Sequence, residues 1–331
     1  MNFRNFLFFL IYLLSASGCV KDEVPSVPTQ SDVLKEIYQV INERYSLFQD
    51  KKVNWDSVYS VYSNQITDGT TDAQLFRIAV NMLDHLKDGH VALFSPFGSV
   101  AYDGYYSRYP KNFNLTNITS NYLNNSYLTT GPLIYKKENG IGYLLVQTFK
   151  ESFTQNDLED ILNYMNGTKG IIIDARDNQG GDVQLAQMIA SKFYNQKRIG
   201  KYEQIKTGKE KLSYSDPQPY YINATASPYQ GQLIILTNRK CYSACNDFVL
   251  FMKNIPKILQ IGDQTGGGGA IPNQFILSNG WKLQYSASRT LSGALQPVEQ
   301  GLLPDVSISI SPIQEQLGID PILDEAIRSI K

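Results

Sequence analysis

Gln232-Leu233-Ile234-Ile235-Leu236-Thr237-Asn238-Arg239-Lys240-Cys241-Tyr242-Ser243-Ala244-Cys245 is the stretch on which the reading of the fold turns. Its opening apolar run has no alternation, so it predicts a strand over 232–238 that is covered on both faces. A polar break follows, and from Ala244 to Lys253 the apolar residues return at helical spacing. Ser243 stands at the join. A serine there is by default a helix N-cap. A nucleophile at a strand-to-helix turn would occupy the same place, its oxygen exposed and the helix dipole favouring developing negative charge.

Moving outward, the same grammar recurs. Gly170 to Arg176 is a buried-strand candidate, because Ile171-Ile172-Ile173 are consecutive β-branched residues ending in polar ones. Asn178-Gln179-Gly180-Gly181 reads as a turn and Val183 to Tyr194 as an amphipathic helix. That turn has an ordinary reading, yet its double glycine also lets backbone N–H groups approach an anionic ligand at a helix N-terminus. Ile141 to Phe149 is a further strand, Asn156 to Met165 a helix and Ile258 to Ile261 a strand. This alternation implies crossover connections and a sheet covered by helices, the α/β class. Gln274 to Leu277 and Lys282 to Ser286 flank Ser278-Asn279-Gly280-Trp281, a hairpin signal. Val306 to Ile310 reads as a strand and Asp320 to Ile330 as a closing helix.

The front of the chain is different. Ser31 or Asp32 is expected to cap a helix whose apolar residues Val33, Leu34, Ile37, Val40 and Ile41 share one face. Trp55 to Ile66 predicts a second helix. Thr71-Asp72 precedes a third, which is expected to stop at Asp88-Gly89. Residues 96–139 are rich in Tyr, Asn, Ser and Thr and predict only loops and short strands. The expected organisation is therefore a helical domain over 31–95, an irregular connection over 96–139 and a catalytic domain over 140–331.

Ahead of these lies Arg4, an apolar run from Phe6 to Leu14, and the small residues Ser15-Ala16-Ser17-Gly18 before Cys19. A basic start, a short apolar core and a small-residue site predict a secretory signal over 1–18 rather than a membrane span. Small residues ending at a cysteine also resemble a bacterial lipobox. Cys19 would then be lipidated, with the polar, proline-punctuated 19–30 as a tether. The expected location is the cell envelope, anchored to the outer membrane on its periplasmic or outer side. With 30 Lys+Arg against 31 Asp+Glu and no long basic run, nothing points to nucleic acid. Two histidines and no Cys-x-x-Cys argue against a metal site, and no cofactor is expected. Cys241 and Cys245 could pair in an oxidising compartment or remain small buried thiols.

Four segments carry chemistry: Leu86-Lys87-Asp88-Gly89-His90, Asp174 to Gly181, Cys241 to Cys245, and Glu299-Gln300-Gly301-Leu302-Leu303-Pro304-Asp305. Each alone has an ordinary reading as a helix end, a turn or a cap. Together, and with Gly142-Tyr143-Leu144 and Gly262-Asp263-Gln264-Thr265-Gly266-Gly267, they resemble the tail-specific (C-terminal processing) protease family in sequence and order. The resemblance covers about residues 85–310, with a gap in the middle. It implies a crotonase-like or Clp-protease-like core of β-β-α turns behind an N-terminal helical bundle, and it places Ser243 on the family's nucleophile.

Two departures matter. Many family members use a Ser–Lys dyad with the Lys in a Thr-x-Gly-Lys-Gly segment, whereas Thr265-Gly266-Gly267-Gly268-Gly269 puts Gly268 at that position. The chain instead resembles the tricorn-core branch, which implies His90 as general base supported by Glu299. Residues 96–140 are also too few for the PDZ module that the family often carries. The implied chemistry is peptide hydrolysis at Ser243, with imidazole taking its proton and Glu299 stabilising the charged ring. N–H groups of Ala244 and of Gly180 or Gly181 would bind the oxyanion. His85 is the lesser candidate, because it lies within an apolar-periodic segment. The expected partner is a polypeptide substrate, possible cleavage lying near its C-terminus. The rival expectation is a peptide- or apolar-ligand-binding protein that keeps the fold without turnover.

Overall fold

A computed structural model describes residues 27–331. The expected signal segment, Cys19 and the start of the tether lie outside the described residues.

The front of the chain folds as helices α1 (Gln30–Arg44), α2 (Phe48–Lys51), α3 (Trp55–Ser63) and α4 (Asp72–Asp84), then strands β1 (Ala92–Ser95) and β2 (Gly98–Ala101). The α1 cap is Thr29 rather than Ser31 or Asp32. Its hydroxyl accepts the Asp32 N–H while the Asp32 carboxylate accepts the Thr29 N–H, a reciprocal capping box. Thr71 and Gln74 do the same for α4. That helix stops about a turn before Asp88-Gly89, and Lys87 adopts the left-handed conformation there with φ 48°. Gly89 has a different reason to be glycine, since a Cβ would lie 2.7 Å from the Tyr105 ring.

The helical unit does not end at residue 95. β1 pairs antiparallel with Lys282–Ser286, which pairs with Pro272–Ile276 across the Asn279-Gly280 turn. Trp281, Leu283 and Tyr285 from this hairpin join Leu34, Ile37, Leu75 and Met82 in one buried cluster. The first and last thirds of the chain thus close a common core. Sequence order hid this, because the amphipathic helices needed an apolar sheet face that the local chain could not supply.

Next come a short helix α5 (Leu115–Asn117) running into a π-helical turn at Ile118–Tyr122, then β3 (Leu128–Thr130), β4 (Leu133–Glu138), β5 (Ile141–Val146), α6 (Gln155–Tyr164), β6 (Gly170–Asp174), α7 (Val183–Ser191), β7 (Arg198–Ile205), β8 (Gln218–Ile222), β9 (Gln232–Thr237), α8 (Ala244–Lys253) and β10 (Leu259–Gly262). After the hairpin strands β11 (Pro272–Ile276) and β12 (Lys282–Ser286) follow β13 (Ser288–Leu291), β14 (Val306–Ser307), α9 (Pro312–Gln316) and α10 (Pro321–Ser329). The central sheet has the order β14-β10-β9-β6-β5-β4-β3. From β5 through β14 neighbouring strands are parallel, so crossovers carry the helices onto its faces. β6 is buried throughout, as its isoleucine run predicts. Within the segment read as irregular, β3 and β4 extend this sheet at one edge.

One internal ion cluster fixes the far end of β6. Arg176 is fully buried and donates to both oxygens of Asp174, at 2.9 and 2.6 Å, and to Asp320 at 2.7 Å. Asp320 in turn caps α10 through the N–H groups of Ile322 and Leu323. The Asp-x-Arg of the turn segment is therefore a structural clamp on the closing helix.

Candidate active site

β9 ends at Thr237, and Asn238 to Tyr242 lead into Ser243, whose φ of 58° and ψ of −127° are unusual for a residue with a Cβ. Such a strained corner lifts the hydroxyl out of the strand-to-helix turn, as a nucleophile elbow does. Neighbouring loops hold it. Ser243 N–H donates to Gly267 O at 2.9 Å, and Tyr242 N–H donates to Asn178 O at 3.2 Å. No side-chain cap bond forms from Ser243, so its oxygen is not spent as an N-cap.

His90 arrives from the helical unit. Its Nε2 lies 3.1 Å from Ser243 Oγ across a sequence separation of 153 residues. The ring is buried and sits 5.0 Å from the Tyr242 ring, centroid to centroid. Burial lowers the pKa of the imidazole, a shift opposed by the Asp88 charge and reinforced by Lys51. The neutral ring is the form that can accept a proton from serine. His85 is elsewhere, exposed at the α4 terminus, with its Nε2 3.1 Å from Tyr62 Oη.

Behind His90 lies a buried group of charges. Asp88 Oδ1 accepts the His90 backbone N–H at 2.8 Å and the Tyr242 hydroxyl at 3.3 Å, while Oδ2 accepts Ser286 Oγ at 2.7 Å. Burial would raise the Asp88 carboxyl, but Lys51, His90 and these hydrogen bonds hold it below its ordinary range. Asp88 therefore shapes the turn that presents His90 and places a negative charge beside it. The sequence put Asp88 in the segment that carries His90 but gave it no role of its own.

Glu299 reaches this cluster but does not touch the imidazole as expected. Its Oε1 pairs with Lys51 Nζ at 2.8 Å. Among the described residues neither Glu299 Oε2 nor His90 Nδ1 has a hydrogen-bond partner. The direct Glu–His contact is thus corrected to a Glu–Lys pair, because a cation from α2, which the sequence did not flag, takes the carboxylate. Burial, with a further push from Asp88 and against the pull of Lys51, raises Glu299 to about 8.

The expected oxyanion donors differ in what their N–H groups already do. Gly180 packs against Ser243, but its N–H already donates to Asn178 Oδ1 at 2.8 Å, so it has none to offer. The Gly181 N–H has no acceptor among the described residues. Ala244 is the first residue of α8, where an N–H has no intrahelical partner. Asn178 is fully buried and also donates from Nδ2 to Val146 O at 3.0 Å, which pins the glycine turn.

Gly268 explains the missing lysine. At φ 72° its hypothetical Cβ would fall 2.1 Å from Tyr242 Cζ, so the aromatic ring occupies the space a side chain there would need. Cys241 and Cys245 are both free and buried, and both thiols point at Ala175 O. A cavity of about 770 Å³ opens beside the site, walled by Lys52, Tyr105, Arg239, Tyr242 and Glu299.

A half-buried serine on a strained elbow, with an imidazole nitrogen in hydrogen-bond contact, has the arrangement of a hydrolase site of the serine class. The model of peptidase family S41 matches residues 140–308, and that of the tricorn protease C1 domain matches residues 30–84. The chain belongs to peptidase family S41. It is similar to the crystal structure of a candidate peptidase from Parabacteroides merdae ATCC 43184, at 34% identity and a TM-score of 0.87, covering 91% of this chain and 96% of that one. The mature CPAF structure complexed with lactacystin shares the fold at 10% identity, with a TM-score of 0.68 over 90% of this chain and 98% of that one. A "Probable CtpA-like serine protease" of Staphylococcus epidermidis is 27% identical over 190 residues, 56% of this chain and 37% of that protein. The chain thus matches well under half the length of that curated relative.

Proposed function

We propose that this protein is a serine peptidase that cleaves polypeptides through an acyl-enzyme on Ser243. The observation that carries this is the 3.1 Å approach of His90 Nε2 to Ser243 Oγ, made by two distant segments that share no local reason to meet. As Oγ attacks the scissile carbonyl carbon, its proton passes to His90 Nε2. The oxyanion is held by the Ala244 and Gly181 N–H groups, each worth about 3 kcal/mol. Collapse breaks the C–N bond, and His90 returns the proton to the leaving amine. Water then repeats the sequence on the ester, with His90 again as base. Asp88, whose carboxylate accepts the His90 backbone N–H, places negative charge beside the ring, where it stabilises the imidazolium.

A fluorophosphonate probe is expected to label the folded protein at Ser243, and a mixed peptide library to be cleaved. Ser243→Ala should abolish both. Unchanged labelling of Ser243→Ala, or peptide binding without any cleavage by the wild type, would replace catalysis with a binding role.

The place of action in this reading is outside the cytoplasm, on a lipid anchor at Cys19, supported by the small-residue run that ends at that cysteine. Trimming near a substrate's C-terminus is the finer version of the activity, supported by the resemblance of the motif order. Intact-mass analysis of protein from membrane fractions is expected to show a diacylglyceryl adduct, which Cys19→Ala removes. Full-length, unmodified protein in the soluble fraction would rule the anchor out.

A further inference from the structure

The sequence left the tyrosine-rich stretch Tyr102-Asp103-Gly104-Tyr105-Tyr106-Ser107-Arg108-Tyr109 without a role, and the peptide-cleaving steps do not use it. It follows β2 as a turn held by its own bonds. The Tyr106 and Ser107 N–H groups donate to Asp103 O at 3.0 Å, and Ser107 Oγ donates to Asp103 Oδ1 at 3.1 Å. This turn meets the segment Arg239-Lys240-Cys241-Tyr242, which delivers Ser243. The Tyr105 ring stacks on Tyr242, with centroids 4.1 Å apart and planes at 22°. The Lys240 ammonium sits 5.5 Å over the Tyr106 ring, and the Arg239 guanidinium 4.1 Å over the Tyr109 ring.

Of these contacts, the one through Tyr105 reaches the reacting groups. Tyr242 is 5% exposed, and its ring lies 5.0 Å from the His90 ring. Its hydroxyl donates to Asp88 Oδ1, the same oxygen that accepts the His90 N–H. Tyr105 is wedged on two further sides. A Cβ on Gly89, the residue before His90, would lie 2.7 Å from Tyr105 Cε1, and one on Gly266 would lie 2.7 Å from Tyr105 Cδ2. Gly266 N–H in turn donates to Cys241 O at 2.8 Å. The wedge therefore touches the turn that carries the imidazole, the turn that carries the hydroxyl, and the loop bonded to the latter.

We propose that Tyr105 is a positioning residue for the hydrolysis: stacked on Tyr242, it holds that ring against His90 and its hydroxyl on Asp88, so that the imidazole stays within reach of Ser243 Oγ. This rests on the peptidase reading above. Both tyrosines line the cavity of about 770 Å³ beside the site, so removing Tyr105 would open a face of Tyr242 to that space and free the ring to turn. A shift of about 1 Å in the base, even from a change away from the chemistry, costs about a hundredfold in rate.

The test measures fluorophosphonate labelling of the full chain against probe concentration, which separates the limiting rate from the half-saturating concentration. Tyr105→Ala is expected to lower the limiting rate by about 10- to 100-fold, with the half-saturating concentration changed less than about threefold. Tyr105→Phe keeps the stacking ring and should label within about twofold of the wild type. The double variant Tyr105→Ala/Tyr242→Leu should label no more slowly than Tyr242→Leu alone, since Tyr105 acts through that ring. A merely structural role would lower the melting temperature of Tyr105→Ala and leave the limiting rate of its folded fraction unchanged, which overturns the proposal. So would a loss carried only by the half-saturating concentration, a Tyr105→Phe protein as slow as Tyr105→Ala, or losses that multiply in the double variant. If Tyr105→Ala fails to fold, Tyr105→Leu is compared with Tyr105→Phe in the same way. A wild type that takes no probe at all sinks the peptidase reading, whereas a labelled wild type beside an unimpaired Tyr105→Ala sinks the positioning role alone.

Discussion

The two halves of the site are built on opposite plans. Ser243 stands on parallel strands and helices that follow one another in the chain, and its corner is fixed by the adjoining backbone of Asn178 and Gly267. His90 stands where the front of the chain closes on the back. Ser46 Oγ reaches Ser286 O and Ser288 O across 240 and 242 residues, and Ser286 reaches Asp88 across 198. The nucleophile is thus a product of local backbone geometry, and the base is a product of long-range closure. Chain-closing contacts cost more entropy to form and are the ones whose loss is felt first at the seam.

That contrast can be broken experimentally. The largest effect expected is on rate alone. His90→Ala should reduce labelling or peptide turnover by roughly 10⁴-fold, with a melting temperature close to that of the wild type. A loss below about tenfold would mean that another base serves Ser243.

Arg176→Met probes the other plan. It leaves Asp174 and Asp320 buried without their cation, which should destabilise the protein by about 3–5 kcal/mol in denaturant titration. Below the transition, the folded fraction should still label, because the clamp touches neither Ser243 nor His90. Labelling lost in a fully folded sample would show that the closing helix is coupled to the elbow.

A third, smaller effect sharpens the seam. Gly268→Ala places a Cβ against the Tyr242 ring at a positive φ, which should cost about 1–3 kcal/mol. Because Tyr242 also donates to Asp88, labelling should fall along with stability. A neutral result would mean that the 265–269 loop shifts freely, and that it does not hold Tyr242 in place.

Much of the nucleophile half was legible in the sequence, since its signals are local. An unbroken apolar strand, a polar break and a helical period placed the start of α8 at Ala244, where the structure has it. Asn279-Gly280 likewise announced its hairpin. The base half was legible only in part. The motif order singled out His90, but nothing near Lys51 marks it as an ion-pair partner of Glu299, because that role exists only when residues far apart in sequence meet. Asn178 was hidden in a different way. Its side chain uses up the Gly180 N–H, a detail of turn geometry that no residue pattern encodes. For the same long-range reason the sequence did not show that a hairpin from the far end completes the helical unit's core.

The tyrosine ring that fills the space beside Gly268 also constrains how this branch could change its chemistry. Installing an amine base by a single step at Gly268 would drive a side chain into an occupied volume, while shrinking Tyr242 first would strip a donor from Asp88 and loosen the imidazole before any replacement existed. The space beside Gly268 and the size of the residue at 242 are therefore coupled, so that an amine base could enter here only if both positions changed together.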